Sequence, residues 1–176
     1  MVTLVAACTG EEPEPPDSPS TALRVATVHG DGLDERARAR FESEVSDVVA
    51  RYVEAGFLGG YPRDDFVQGF EDFTSGAAEQ AVGDLEVLTA ARFENASSVR
   101  ATDLGAALSF YVVDGEALGA TAWIDFAFDV DDGESTTTAA LDGRLVLERR
   151  NERWSVFAYD VRRDDSDALP VEATTP

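Results

Sequence analysis

The sequence predicts an α+β domain in which helices come first and an antiparallel sheet comes second. Two observations predict it. From Leu33 to about Arg92, apolar residues recur at three- and four-residue steps, the period of helices packed on one face. After Asn95 the period drops to two, punctuated by Asp114-Gly115 and Asp131-Asp132-Gly133 as hairpin turns. Helices and strands segregated in this way exclude the alternating order of an α/β protein.

The elements run in order along the chain. Residues 22–29 (ALRVATVH) alternate weakly, as a short strand or an extended lead-in. Gly30-Asp31-Gly32 breaks the chain, with Asp31 placed to cap the next helix. Ala37, Phe41, Val45, Val48, Val49, Tyr52 and Val53 then mark an amphipathic helix over 33–55, ending near Gly56 or Gly59-Gly60. Tyr61-Pro62 restarts the chain. Phe66, Phe70 and Phe73 share a face of a short second helix, a row that such spacing assigns to core rather than to a lid. Thr74-Ser75-Gly76 offers hydroxyl caps, and Ala78, Val82, Leu85 and Leu88 mark a third helix to about Arg92.

Period two then predicts strands at 97–102, 106–113, 118–130, 136–149 and 154–161. In 118–130, Ala122, Ile124, Phe126, Phe128 and Val130 share one face. Thr121, Trp123, Asp125, Ala127 and Asp129 share the other. The chain divides into residues 1–8, a linker 9–21, the α+β domain 22–165 and a polar tail 166–176.

Composition bounds the partners. Acidic residues number 35 against 14 basic ones, for a net charge of −21, and every basic residue but His29 is Arg. That charge repels nucleic acid, whose binding needs clustered cations, and disfavours docking on anionic lipid. A single Cys and a single His leave no intramolecular disulfide and no zinc set, and no cofactor motif is present. Gly30-Asp31-Gly32 lacks the Lys-Ser/Thr of a phosphate loop.

The N-terminus carries the clearest address. Leu4-Val5-Ala6-Ala7-Cys8 resembles the bacterial lipobox, an apolar residue and small residues before a Cys. The resemblance implies cleavage before Cys8, a diacylglycerol on its sulfur, and an anchor on the extracytoplasmic face of the cell membrane. Several acyl chains hold a protein stably where one does not. Thr9 to Ser20 (TGEEPEPPDSPS) cannot build a core and suits a semi-rigid spacer about 40 Å long. Seven uncharged residues precede Cys8, whereas an export signal needs a cationic start and a longer apolar stretch, so a start upstream of Met1 is expected. No other segment approaches the ~18 apolar residues of a membrane span.

From Asp31 to Arg163 the pattern resembles the nuclear-transport-factor-like, or cystatin-like and SnoaL-like, α+β roll. The helix 33–55, the aromatic turn after Tyr61-Pro62 and the segment 145–161 carry the likeness. Phe73-Thr74-Ser75-Gly76-Ala77-Ala78 with Leu88-Thr89, in an Arg-only, Ala-rich chain, is similar to small actinobacterial envelope proteins of this roll. The resemblance implies N-terminal helices lying in the concavity of a curved antiparallel sheet. It fixes no activity, because the roll serves enzymes and non-enzymes alike.

Two functions stand on these residues. The first is a membrane-anchored envelope lipoprotein with a non-catalytic binding or accessory domain. Its partner is an envelope protein, or a second copy, meeting the sheet face that carries Trp123. The alternative is a small-molecule isomerase- or cyclase-like enzyme using a pocket between helices and sheet. Its candidate base is Asp125, provided that face is buried. The alternation places Asp125 outward instead. Asp129-Val130-Asp131-Asp132-Gly133-Glu134 lacks an acidic residue at the twelfth position, Ala140, and reads as a solvated turn rather than a calcium loop. His29, without a nearby nucleophile, reads as a surface or capping residue.

Overall fold

The computed structural model describes residues 22–29 and 31–165, with the side chains of residues 26–29 and 165 outside the description. Cys8, the linker 9–21 and the tail 166–176 therefore lie outside the described residues. The element order is β1 (Arg24–His29), α1 (Glu35–Phe57), a 3-10 turn (Phe66–Phe70), α2 (Ser75–Gly83), α3 (Leu85–Leu88), a second 3-10 turn (Ala91–Phe93), β2 (Ser98–Val113), β3 (Glu116–Asp131), β4 (Thr136–Arg150) and β5 (Arg153–Asp165). The strands form one open, five-stranded sheet in the order β1-β2-β3-β4-β5. β1 joins β2 in parallel, and the other pairs are antiparallel. The protein is thus α+β, with its helices ahead of a mostly antiparallel meander.

Helix α1 begins one turn later than the glycine break suggests. Asp34 caps it, accepting from the Ala37 N–H at 2.7 Å, while Asp31 sits in the preceding turn. The helix ends without a basic residue in its last turn. Arg63, from the loop after α1, supplies the missing charge by donating to the carbonyls of Ala55 and Leu58, where the helix dipole is negative. The Tyr61–Pro62 peptide in that loop is cis. Gly69 lies against Gly56, so close that a Cβ on Gly69 would stand 3.0 Å from the Gly56 Cα. Two small residues thereby let the Phe66–Phe70 turn pack directly on the end of α1.

The third helix is not continuous. Thr74 caps α2, and Asp84 separates α2 from α3, its carboxylate accepting from the Tyr159 hydroxyl at 2.7 Å. The buried face of α2 is Ala77 and Ala81, not Ala78 and Val82, and Val82 faces solvent. The cause is anchorage: the Thr74 N–H donates to the Val156 carbonyl, and that tie to β5 sets the helix rotation.

The strands expected at 97–102 and 106–113 are one strand, β2. A bulge at Thr102 absorbs the change of phase, since Ala101 pairs with Phe128 and Asp103 with Ala127. Asp103, which broke the apolar pattern, is held by Arg24 of β1 across the sheet surface. In β4, Gly143 has φ +144°, and a Cβ there would stand 2.2 Å from the Asp160 carbonyl oxygen of β5. Glycine is what allows the two strands to close at that point.

The core lies between α1 and the inner sheet face. Phe41, Val45, Val48, Val49, Tyr52 and Val53 of α1 are buried, as the spacing predicts, and so are Phe66, Phe70 and Phe73. Opposite them lie Ile124, Phe126, Phe128, Leu141, Leu145 and Leu147, all buried. Phe57 contacts Phe126 and Phe128 with ring centroids 5.1 and 5.3 Å apart, and Phe41 contacts Trp154 edge-on at 6.1 Å. Each such ring contributes about 1.5–3 kcal/mol through burial. The Trp154 indole N–H donates to Glu44 of α1 at 2.9 Å, tying helix to sheet at the other end.

Candidate interaction surface

The outer sheet face is divided into two halves by its side chains. On the half nearer the β3–β4 turn, charges pair across strands: Arg24 with Asp103, Arg100 with Asp129 at 3.9 Å and Arg162 with Asp142 at 3.0 Å, and at the boundary Arg144, level with Trp123, pairs with Asp160 at 3.3 Å. These exposed pairs each contribute little to stability. Asp125 belongs to this half. It is exposed, level with Asp142 on β4 and on the side of the sheet away from the core. The burial on which a general-base role depended is not met, so Asp125 is a solvated residue of the outer face.

The other half is apolar. Tyr111, Val113, Leu118, Trp123 and Phe157 are large hydrophobic side chains between 39 and 67% exposed. Two bulges build this half. Tyr111 pairs with Gly119 and Val112 with Ala117, which leaves Leu118 as an extra residue on β3. Val146 pairs with Ala158 and Leu147 with Val156, which leaves Phe157 as an extra residue on β5. Bulges of this kind re-aim side chains, and here Leu118 and Phe157 are delivered to the outer face. Between them runs a trough of about 590 Å³, floored by Gly119, Thr121 and Val146 and walled by Tyr111 and Leu118 on one side and Phe157 on the other. Trp123 continues the floor strand on the same face, half exposed.

Two other hollows compare unfavourably. One, of about 600 Å³, lies between the end of α1 and the loop after it. Two of its ion pairs serve the fold, Arg51 with Asp72 at 2.7 Å and Arg63 with Asp65 at 2.6 Å, while Glu54, Asp64 and Glu71 also line it. The other, of about 440 Å³, opens between α1 and β2, lined by Leu23, Val53, Leu58, Val99 and Leu104. This is the space an isomerase-like reading would use. The charged groups on its lining, Glu54 and Arg100, are exposed, and the rest of the helix–sheet space is filled by aromatic rings.

The turn at Asp131-Asp132-Gly133 spends its carboxylates on its own backbone. Asp132 accepts from the N–H groups of Glu134 and Ser135 at 2.9 and 2.8 Å, and Asp131 accepts from Gly133 at 2.7 Å. Those bonds hold the Asp132 pKa below the ordinary carboxylate value. Among the described residues, no group of three or more His, Cys, Asp or Glu is arranged to hold a metal ion. No described helix is long and apolar enough to cross a membrane. His29 ends β1, beside Ser109. Trp123 is where the alternation placed it. Leu118 has the parity of the inner face, and the bulge in the β2–β3 pairing accounts for its exposure. No family model, curated protein or solved structure matches the chain.

Proposed function

We propose that the protein is a lipid-anchored envelope protein whose folded domain is a non-catalytic binding module. The helix-first, meander-second order and the position of α1 against one sheet face support reading that domain as a cystatin-like, SnoaL-like roll. In this reading Cys8 carries the lipid, residues 9–21 space the domain from the membrane, and the outer sheet face meets the partner. The single observation that carries the reading is the apolar half of that face, five large exposed side chains opposite a core already filled.

Two measurements test it. Fatty-acid-analogue labelling of the chain, expressed from its upstream start, is compared with Cys8→Ala. Label in the wild type and none in the variant is the expected result. Equal labelling, or none in either, removes the anchor. A photo-crosslinking residue at Trp123 is expected to capture envelope protein more than the same residue at Asp47, which lies exposed on α1 at the other side of the molecule. Equal capture removes the binding face.

A further inference from the structure

We propose that the trough between Leu118 and Phe157 takes a cationic amphipathic segment of another protein, its apolar residues on the floor and its Lys or Arg residues over the rim. The inference rests on the reading of the domain as a binding module and names what that module binds.

The rim supplies the charge. Val113 pairs with Glu116 on the outer face at the trough's end, and Asp114 forms the adjoining turn. Asp114 and Glu116 are exposed, and among the described residues neither of them has an ion-pair partner. The basic residues nearby are engaged: Arg150 pairs with Glu148 at 2.9 Å, and Arg153 lies 3.9 Å from Asp72. An apolar floor beside uncompensated carboxylates selects an occupant that is apolar along one stripe and cationic beside it.

The same charge excludes the other occupants. A second copy would bring an identical acidic rim, on a chain of net charge −21, against this one. Residues 1–21 contain Glu11, Glu12, Glu14 and Asp17 and no basic residue, and residues 166–176 contain Asp167 and Glu172 and no basic residue. Those two segments therefore lack the cations the rim calls for. The walls stand on Tyr111 of β2 and Leu118 of β3 on one side and on Phe157 of β5 on the other, two to three inter-strand spacings apart, about 10–14 Å. That width admits a single helix of ~10–12 Å diameter.

The test is calorimetric titration of the full chain with three synthetic peptides. One is a helical Leu/Lys peptide with Leu at i, i+3, i+4 and i+7. The second has Glu for Lys, and the third has the Leu/Lys composition scrambled to destroy the stripe. The ordered Leu/Lys peptide is expected to bind at least about tenfold more tightly than either other peptide, a difference that calorimetry resolves. Leu118→Ser and Phe157→Ser, both at exposed positions, are each expected to weaken it by about tenfold or more, with Tyr111→Ser as a second wall variant. Glu116→Arg is expected to weaken it several-fold more than Asp47→Arg, which changes the net charge equally on the far side. Equal losses from those two charge reversals, or equal binding of ordered and scrambled peptides, would reduce the effect to general attraction and overturn the inference. Concentration-dependent dimerisation abolished by Phe157→Ser would overturn it in favour of a second copy. If peptide binding fails while crosslinking at Trp123 still captures envelope protein, this inference falls and the binding module stands. If both fail, the module falls as well.

Discussion

Replacing Tyr52 with Phe gives a stability change that reverses with pH. The Tyr52 hydroxyl is buried and donates to the Leu88 carbonyl at 2.6 Å. Tyr52→Phe leaves that buried carbonyl without its donor, which at neutral pH costs about 1–2 kcal/mol. Burial also pushes the Tyr52 pKa far above its ordinary value of 10. Between the unfolded and folded values, the unfolded chain has released this proton and the native chain still holds it. The unfolded state then binds fewer protons, so stability falls as pH rises, by about 1.4 kcal/mol per pH unit for this one group. The stabilisation is complete below about pH 10 and is lost progressively above it. The variant lacks this loss. Dividing a cost of about 1–2 kcal/mol by that slope puts the crossing about one unit above the tyrosine value, near pH ~11. The absence of Lys from the sequence leaves the alkaline limb to the tyrosines. Tyr61 and Tyr159, pushed up to about 12 chiefly by burial, share the limb but remain in both proteins. Urea unfolding of wild type and variant, followed from neutral pH through that crossing, measures the difference. A gap between the two that stays constant with pH would refute the argument, because it would mean that Tyr52 does not keep its proton by burial.

Two further substitutions test how local chemistry sets the fold. Asp34→Ala is expected to cost about 1 kcal/mol and Thr74→Ala only a few tenths, because the Asp34 oxygen sits 2.7 Å from its N–H and the Thr74 oxygen 3.4 Å. Chemical denaturation of both variants checks the order, and equal losses would detach cap strength from these distances. Gly143→Ala is expected to cost about 2–4 kcal/mol, since a Cβ would meet the Asp160 carbonyl and the φ is positive. A melting temperature unchanged by that substitution would show that β4 and β5 do not close as described.

The sequence reveals which residues pack because packing tracks period, and period is local. The stripe from Phe41 to Val53 and the inner face from Ala122 to Val130 are buried as their spacing requires. What it does not reveal depends on partners distant in the chain. Asp103 reads as a break between strands until Arg24, far away in sequence, is seen to hold it on the sheet surface. Val82 reads as core until Thr74 is tied to Val156 and α2 turns Ala81 inward instead. The trough is the sharpest case. Leu118 shares its parity with Ile124 and Phe126, so strict alternation puts it in the core. The register slip between Tyr111 and Val112 reverses it, and the side chain emerges 45% exposed. A bulge has no composition of its own, so no stretch of sequence announces it. It costs ladder pairing and exposes a leucine to water, and a second bulge exposes Phe157 across the same glycine-floored channel. Two such costs converging on one patch have no return within the isolated domain, whose core is already full. The proposed occupant of the channel would give both a physical rationale, with its charge set by the acidic rim.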